Sequence, residues 1–303
     1  MLGGRLRTGV DRVCPLVWPF GDGATLTNLR FADDLVSIAQ SRNDVRNMIN
    51  DFAALAKSYG AKINFDKTKV LSWDRLVHGP YTIPVGANSV QILRATQSEK
   101  YLGRKLCLGD GQQIEISHRI AAAWAAFHKH KQKLCSKFYT LQDRARLFDS
   151  VVTSAALYGA ETWVLTQAMC RELNTARRRM LRYVFRLHRQ TNASECEPWV
   201  DYMIRSASRV DELSALLGLE DWACAHRRRT WIWAGRLARR SDDRWSQRIL
   251  DWQPIGGLGR GQGRPKLRWE DELSEFPGGD WMNVAAEEAG WLCATEGFVS
   301  RIG

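Results

Sequence analysis

The sequence predicts an α+β protein, a β-rich first third followed by a mostly α-helical remainder. Three observations carry this. Two short β-rich runs, "NLRFA" and "LVSIA", flank a pair of aspartates near the start. From about residue 111 the apolar residues recur at spacings of three and four, the helical period. From about residue 190 the composition shifts, and nine of the thirteen tryptophans fall between Trp199 and Trp291. The expected segments are therefore 1–110, 111–190 and 191–303.

Residues 1–27 read as irregular, with Gly and Pro punctuation in "WPFGDGATL". The runs on either side of Asp33 and Asp34 then predict a β-hairpin with the aspartates at its tip and Leu29, Phe31, Val36 and Ile38 anchoring its arms. Ser41 followed by Asp44 fits a capped helix start. Val45, Met48, Ile49, Phe52 and Leu55 give that helix one apolar face, and Gly60 supplies its stop. "AKINFDKTKVLSW" reads as a strand leading into a polar turn, and "YLGRKLCLG" as one more short strand.

Beyond residue 110, Ile116, Ile120, Trp124, Phe127 and Leu134 mark one helical face. A second helix is expected over 142–158 and a third over 170–189. In the third, Leu173, Ala176, Met180, Leu181, Val184 and Leu187 cluster on one side at 100° per residue. Arg171, Arg178, Arg179, Arg182, Arg186 and Arg189 fall opposite them, with Arg177 as the exception. A solvated face and a phosphate-facing surface both remain open for this row. Farther on, "HRRRTWIWAGRLARR" is basic and aromatic, and "GGLGRGQGRPK" is a basic loop. Tryptophans in such a tail are more often core than stacking platform. Trp231 and Trp233, alternating around Ile232, put at least one side of their segment inward.

Lys and Arg total 44 against 33 Asp and Glu, a formal charge of +11, which favours a polyanionic partner such as nucleic acid. The seven cysteines are odd in number and show no CxxC spacing, which predicts free thiols in a reducing compartment. Cys196, Cys224 and His226 are zinc candidates, with a buried thiol and an ordinary histidine as the simpler reading. The acidic run Glu270, Asp271, Glu272 and Glu275 reads as a solvated helix start. No run approaches about 18 apolar residues, so no membrane span is expected. The start, "MLGGRLRTGVDRV", lacks the apolar core of a signal peptide. The expected location is intracellular, in nucleus or cytoplasm.

Two adjacent carboxylates in a stretch otherwise built for burial need a reason, because an unpaired buried charge is costly. Either they sit on an exposed turn or they hold a cation. The motif "LRFADDLVSIA" resembles the catalytic core of reverse transcriptases, and most of all those of non-LTR (LINE-type) retrotransposons. In order along the chain, "YGAKINFDKTKVLSW" resembles that family's next palm motif and "YLGRKL" its primer grip. "LYGAETWVL" and "ARRRMLRYVF" resemble thumb and connection, and "RRTWIWAGRLARR", "GRGQGRPKLRWEDEL" and "DWMNVAAEEAGW" its C-terminal segments.

The resemblance implies a partial polymerase palm followed by a helical thumb and tail. It implies RNA-directed DNA synthesis by in-line phosphoryl transfer assisted by Mg²⁺ or Mn²⁺. RNA template and DNA primer or target DNA would be the partners. Asp33 would be a metal ligand, with Asp34 a weaker or structural one. Lys67 would protonate pyrophosphate or meet the incoming nucleotide, an ordinary exposed lysine being the other reading, and Asn64 would brace its turn. Tyr101, Leu102 and Gly103 would lie against the primer end. Arg178, Arg179, Arg182 and Arg186 would face template and primer.

The family's first catalytic aspartate and its fingers lie well upstream of the hairpin. Only 32 residues precede Asp33, and Asp11 and Asp22 lack the family's strand pattern around them. The expectation is a C-terminal reverse-transcriptase segment, inactive alone. A non-catalytic nucleic-acid-binding remnant and a decaying remnant are the competing readings.

Overall fold

A computed structural model of the chain describes residues 26–72, 81–94, 96–191, 196–242, 245–250, 267–276 and 279–300. The expectations for 1–25, Asp11 and Asp22 included, and for the basic loop at 256–266 lie outside the described residues. The chain is α+β and divides into two compact units. The first holds residues 1–101, 107–109 and 248–263, and the second the rest.

In the first unit, β1 (Asn28–Phe31) and β2 (Asp34–Ser37) pair antiparallel as a sheet of their own. Helix α1 (Arg42–Ser58) begins as expected: the Ser41 side chain accepts the Asp44 N–H. It ends at Gly60, which takes φ +74. A three-stranded sheet follows in the order β3 (Lys69–Leu71), β5 (Asn88–Leu93), β4 (Thr82–Val85), with β3 parallel and β4 antiparallel to the centre. Ile83, Val85, Val90 and Ile92 form its core, and Val45 and Ile49 of α1 pack on it. Pro84, which has no N–H to give a ladder, sits on the edge strand β4, where that omission is tolerated.

Two expectations here need correction. "AKINFDKTKVLSW" places its turn first, at 65–67, and its strand after, as β3. "YLGRKLCLG" is not one strand. It contributes the end of β6 (Glu99–Tyr101) and the whole of β7 (Arg104–Leu106), separated by Leu102 and Gly103. Both intervening residues have positive φ, +47 and +82, so the extended backbone must break there.

The second unit is helical. It contains α2 (Gly111–Leu134), α3 (Leu141–Leu147), a π-helical turn (Phe148–Thr153), α4 (Ser154–Ala156) and a 3₁₀ turn (Ala160–Thr162). Then come α5 (Gln167–Val184), α6 (Trp199–Leu216) and α7 (Trp222–Ala238). The short helices α8 (Trp245–Arg248), α9 (Asp271–Glu275), α10 (Trp281–Ala286), α11 (Glu288–Cys293) and α12 (Thr295–Ser300) complete the described elements.

The apolar stripes read from the sequence meet in one core. Ile116, Phe127 and Leu134 of α2 join Leu173, Met180 and Val184 of α5 together with Phe148, Val152 and Trp222. The helix expected over 142–158 is interrupted by the π-helical turn. Such a turn adds a residue to the local period and turns side chains to a new face. Here Phe148 stacks on Trp222 with centroids 6.4 Å apart, and the Thr153 hydroxyl accepts the Trp222 indole N–H at 3.1 Å. No helix among the described residues is long and apolar enough to cross a membrane.

Candidate functional site

In the hairpin Phe31 pairs with Asp34, leaving Ala32 and Asp33 as a two-residue loop. Ala32 takes φ +52, a loop geometry in which glycine is the usual residue. Asp33 and Asp34 are both exposed, and among the described residues no side chain donates a hydrogen bond to either carboxylate. None of the four expected anchors is fully buried: Leu29 is 39% exposed and Phe31 62%, while Val36 and Ile38 are half-buried. Among the described residues the ribbon pairs with no further strand, and a two-stranded ribbon alone offers little burial. The same residues contain no group of three His, Cys, Asp or Glu side chains that could hold a metal ion. Two adjacent carboxylates without a third ligand leave a two-metal template incomplete.

Lys67 lies exposed in the turn before β3. Asn64 braces that turn: its side-chain oxygen accepts the Lys67 N–H at 3.1 Å, and its carbonyl accepts the Thr68 N–H and hydroxyl. Asp33, Asp34, Lys67 and Tyr101 thus belong to the first unit, and Leu102, Gly103 and the α5 arginines to the second.

Within the second unit the Leu102–Gly103 turn is tied down by residues that sequence reading missed. The Tyr158 hydroxyl donates to the Leu102 carbonyl at 3.1 Å, and Arg119 donates to the Gly103 carbonyl. Arg119 also donates to Glu115 at 2.8 Å, and Glu115 accepts the Lys105 backbone N–H at 2.6 Å. Glu115 is only 1% exposed. A Cβ at Gly103 would stand 3.0 Å from the Tyr158 ring, a tight contact that adds to the preference for glycine at φ +82. The available signal was the i,i+4 pair Glu115 and Arg119 lying in the apolar stripe of α2. Beside this turn, Leu102, Arg104, Ser154, Tyr158, Glu161 and Arg229 line an open cleft of about 430 Å³.

The α5 arginines do not act as one row. Arg177 is buried and donates to the Leu219 carbonyl at 2.8 Å. Arg178 makes a two-pronged pair with Asp211, at 3.1 and 3.2 Å, so its charge is already answered by a carboxylate. Arg179 lies over the Trp124 ring, 5.7 Å from its centroid. Arg182 is half-buried and Arg186 exposed, with no carboxylate beside either among the described residues.

Against known proteins, no family model matches the chain and no solved structure matches it. An uncharacterised protein of Caenorhabditis elegans, described as transposon-derived, is 32% identical over 286 residues, covering 89% of this chain and 95% of the relative. The chain belongs to that transposon-derived family. A retroelement origin is consistent with this membership.

In this transposon-derived chain the basic, aromatic tail is spent largely on internal contacts. Arg227 donates to the Phe298 carbonyl at 2.7 Å, and Arg229 to the Leu157 carbonyl at 2.7 Å. Arg228 bridges Glu220 and Glu296, which raises its own pKa and lowers that of Glu296. Trp231 and Trp291 are fully buried and stacked at 3.5 Å, each indole N–H donating to the other's carbonyl at 2.9 Å. These two rings are core and not a platform for bases. Trp199, by contrast, is 60% exposed.

The zinc candidates are not brought together as a metal-binding group. Burial pushes His226 down to about 4, and its ring stacks on Trp163. Burial, then the Asp221 hydrogen bond, pushes the Cys224 thiol up to about 12, which keeps it protonated and a poor ligand. Cys196 is exposed.

Proposed function

We propose that this chain is a segment of a non-LTR retroelement reverse transcriptase, with the first unit derived from the palm and the second from thumb and tail. The observation that carries the reading is the two-residue hairpin presenting Asp33 and Asp34 to solvent in a member of a transposon-derived family. The hairpin offers part of a metal template for Mg²⁺ or Mn²⁺, hard ions that favour carboxylate oxygen. The further ligand comes from outside the described residues or from another polypeptide. On its own the chain grips an RNA template paired with a DNA primer and does not extend it. Leu102 and Gly103, fixed by Tyr158 and Arg119, form a rigid turn suited to lie against a primer end.

Primer extension tests the reading. The upstream palm of an intact element, fused ahead of residue 28, is assayed with RNA template, DNA primer and either metal. Extension that Asp33→Ala abolishes supports it, and extension that survives Asp33→Ala contradicts it. A second reading, a non-catalytic nucleic-acid-binding remnant, draws on the lack of a third metal ligand among the described residues. It predicts hybrid binding without extension even when the palm is supplied.

A further inference from the structure

Helix α5 ends in a way its sequence does not require. The Leu187 N–H donates to the Arg182 carbonyl at 2.9 Å, and the Arg186 N–H to the Tyr183 carbonyl at 3.1 Å. This is the helix-terminating pattern whose left-handed residue is usually glycine. Here that residue is Arg186, at φ +58. A bulky side chain held in this region is strained, and such strain persists where something else is gained.

The same helix end gathers further cations. Arg144 of α3, 9% exposed, donates one terminal N–H to the Val184 carbonyl at 2.5 Å. Its buried Nε–H has no partner, and Arg182 likewise keeps a buried Nε–H without one. An orphaned buried donor costs free energy unless a ligand or water completes it. Lys131, in the last turn of α2, belongs to the same neighbourhood. Its carbonyl accepts the Cys135 N–H at 2.9 Å, which puts Lys131 one turn from that thiol, and the charges of Lys131, Arg144 and Arg186 all draw the Cys135 pKa down against the rise that burial imposes. No carboxylate among the described residues pairs with Lys131, Arg144, Arg182 or Arg186.

We infer that Lys131, Arg144 and Arg186 form a phosphate-binding site at the junction of α2, α3 and α5, completed by Arg182. Guanidinium groups offer forked donors to tetrahedral oxyanions, and Lys131 adds a point charge. The phosphate is a phosphodiester of a nucleic-acid strand; for that carrier alone, the inference rests on the function proposed above. The site extends past the α5 row to residues of two other helices, and it leaves out Arg178 and Arg179, which have partners of their own.

Arg186→Gly separates binding from folding, because glycine suits φ +58 and removes the charge. Lys131→Gln is the second variant, and Arg171→Gln, exposed on the same helix, is the charge-matched control. Two probes are applied to the full chain. One is inorganic phosphate, read as a shift in melting temperature against chloride at matched ionic strength. The other is a single-stranded RNA of about 12 nucleotides, read by anisotropy across salt.

The expected result has three parts: phosphate raises the melting temperature of the parent chain, Arg186→Gly and Lys131→Gln remove most of that rise, and each weakens RNA binding about tenfold while lowering the salt slope by about one. Arg171→Gln changes neither readout. Equal loss in Arg171→Gln, or no change in Arg186→Gly and Lys131→Gln, overturns the site. An Arg186-dependent phosphate response without RNA binding overturns the nucleic-acid carrier. Neither probe uses primer or metal, so a failure of polymerase chemistry reads separately.

Discussion

At single residues, backbone conformation and burial make sharp demands. Ala32 holds φ +52 in the hairpin loop, so Ala32→Gly should raise stability by about 1 kcal/mol if the hairpin folds with its unit, read by urea denaturation. Glu115 sits 1% exposed between Arg119 and the Lys105 N–H. Removing one member of a buried pair strands the other, so Glu115→Ala should cost about 3–5 kcal/mol. Glu115→Gln, which keeps an acceptor, should cost less; equal losses would show that the acceptor contributes nothing. His226 is neutral in the fold, its pKa depressed to about 4 by burial, while an unfolded histidine titrates near 6.5. The unfolded state therefore binds more protons between those values, and stability falls as pH drops through that window. The loss approaches about 3 kcal/mol near pH 4. His226→Phe, which keeps a ring against Trp163, should flatten that slope in denaturation at pH 7 and pH 5.

Among the elements, α1, α2 and α5 were legible in the sequence because each carries one apolar stripe, buried in α2 and α5 and half-buried in α1, and a stripe at helical spacing survives in the residue order. Ser41 and Gly60 marked the ends of α1 for the same local reason. The β4–β5 hairpin was missed although Ile83, Val85, Val90 and Ile92 alternate as a half-buried pair should, with Gly86 between the arms. The π-helical turn at 148–153 had no local signal, since it is fixed by Trp222 arriving from 69 residues beyond Thr153. The run "RRR" in α7 advertised an anionic partner, yet its charges are taken by carbonyls and carboxylates of the same unit, which composition alone does not reveal. Helix α7 also depends on Gly235: a Cβ there would stand 2.5 Å from the Trp291 indole nitrogen. Gly235→Ala should part the Trp231–Trp291 stack and cost about 1–3 kcal/mol, seen as a lower denaturation midpoint with changed tryptophan fluorescence. An unchanged midpoint would mean that the stack can shift at no cost.

For the whole molecule, Lys and Arg outnumber Asp and Glu by 11, and the cations without a carboxylate partner at the end of α5 are one place where that surplus sits. The Asp33–Asp34 hairpin was readable as a hairpin and as exposed carboxylates, because both follow from local order. Its incomplete ligand set and its unburied arms were not readable, because they depend on what packs around it. The decisive measurement is the affinity of the full chain for an RNA–DNA hybrid between about 50 and 200 mM salt. A nucleic-acid-gripping retroelement segment predicts binding that weakens steeply and linearly in log salt, each lost phosphate contact lowering the slope by about one. A flat response, or no binding at the lowest salt, would contradict it.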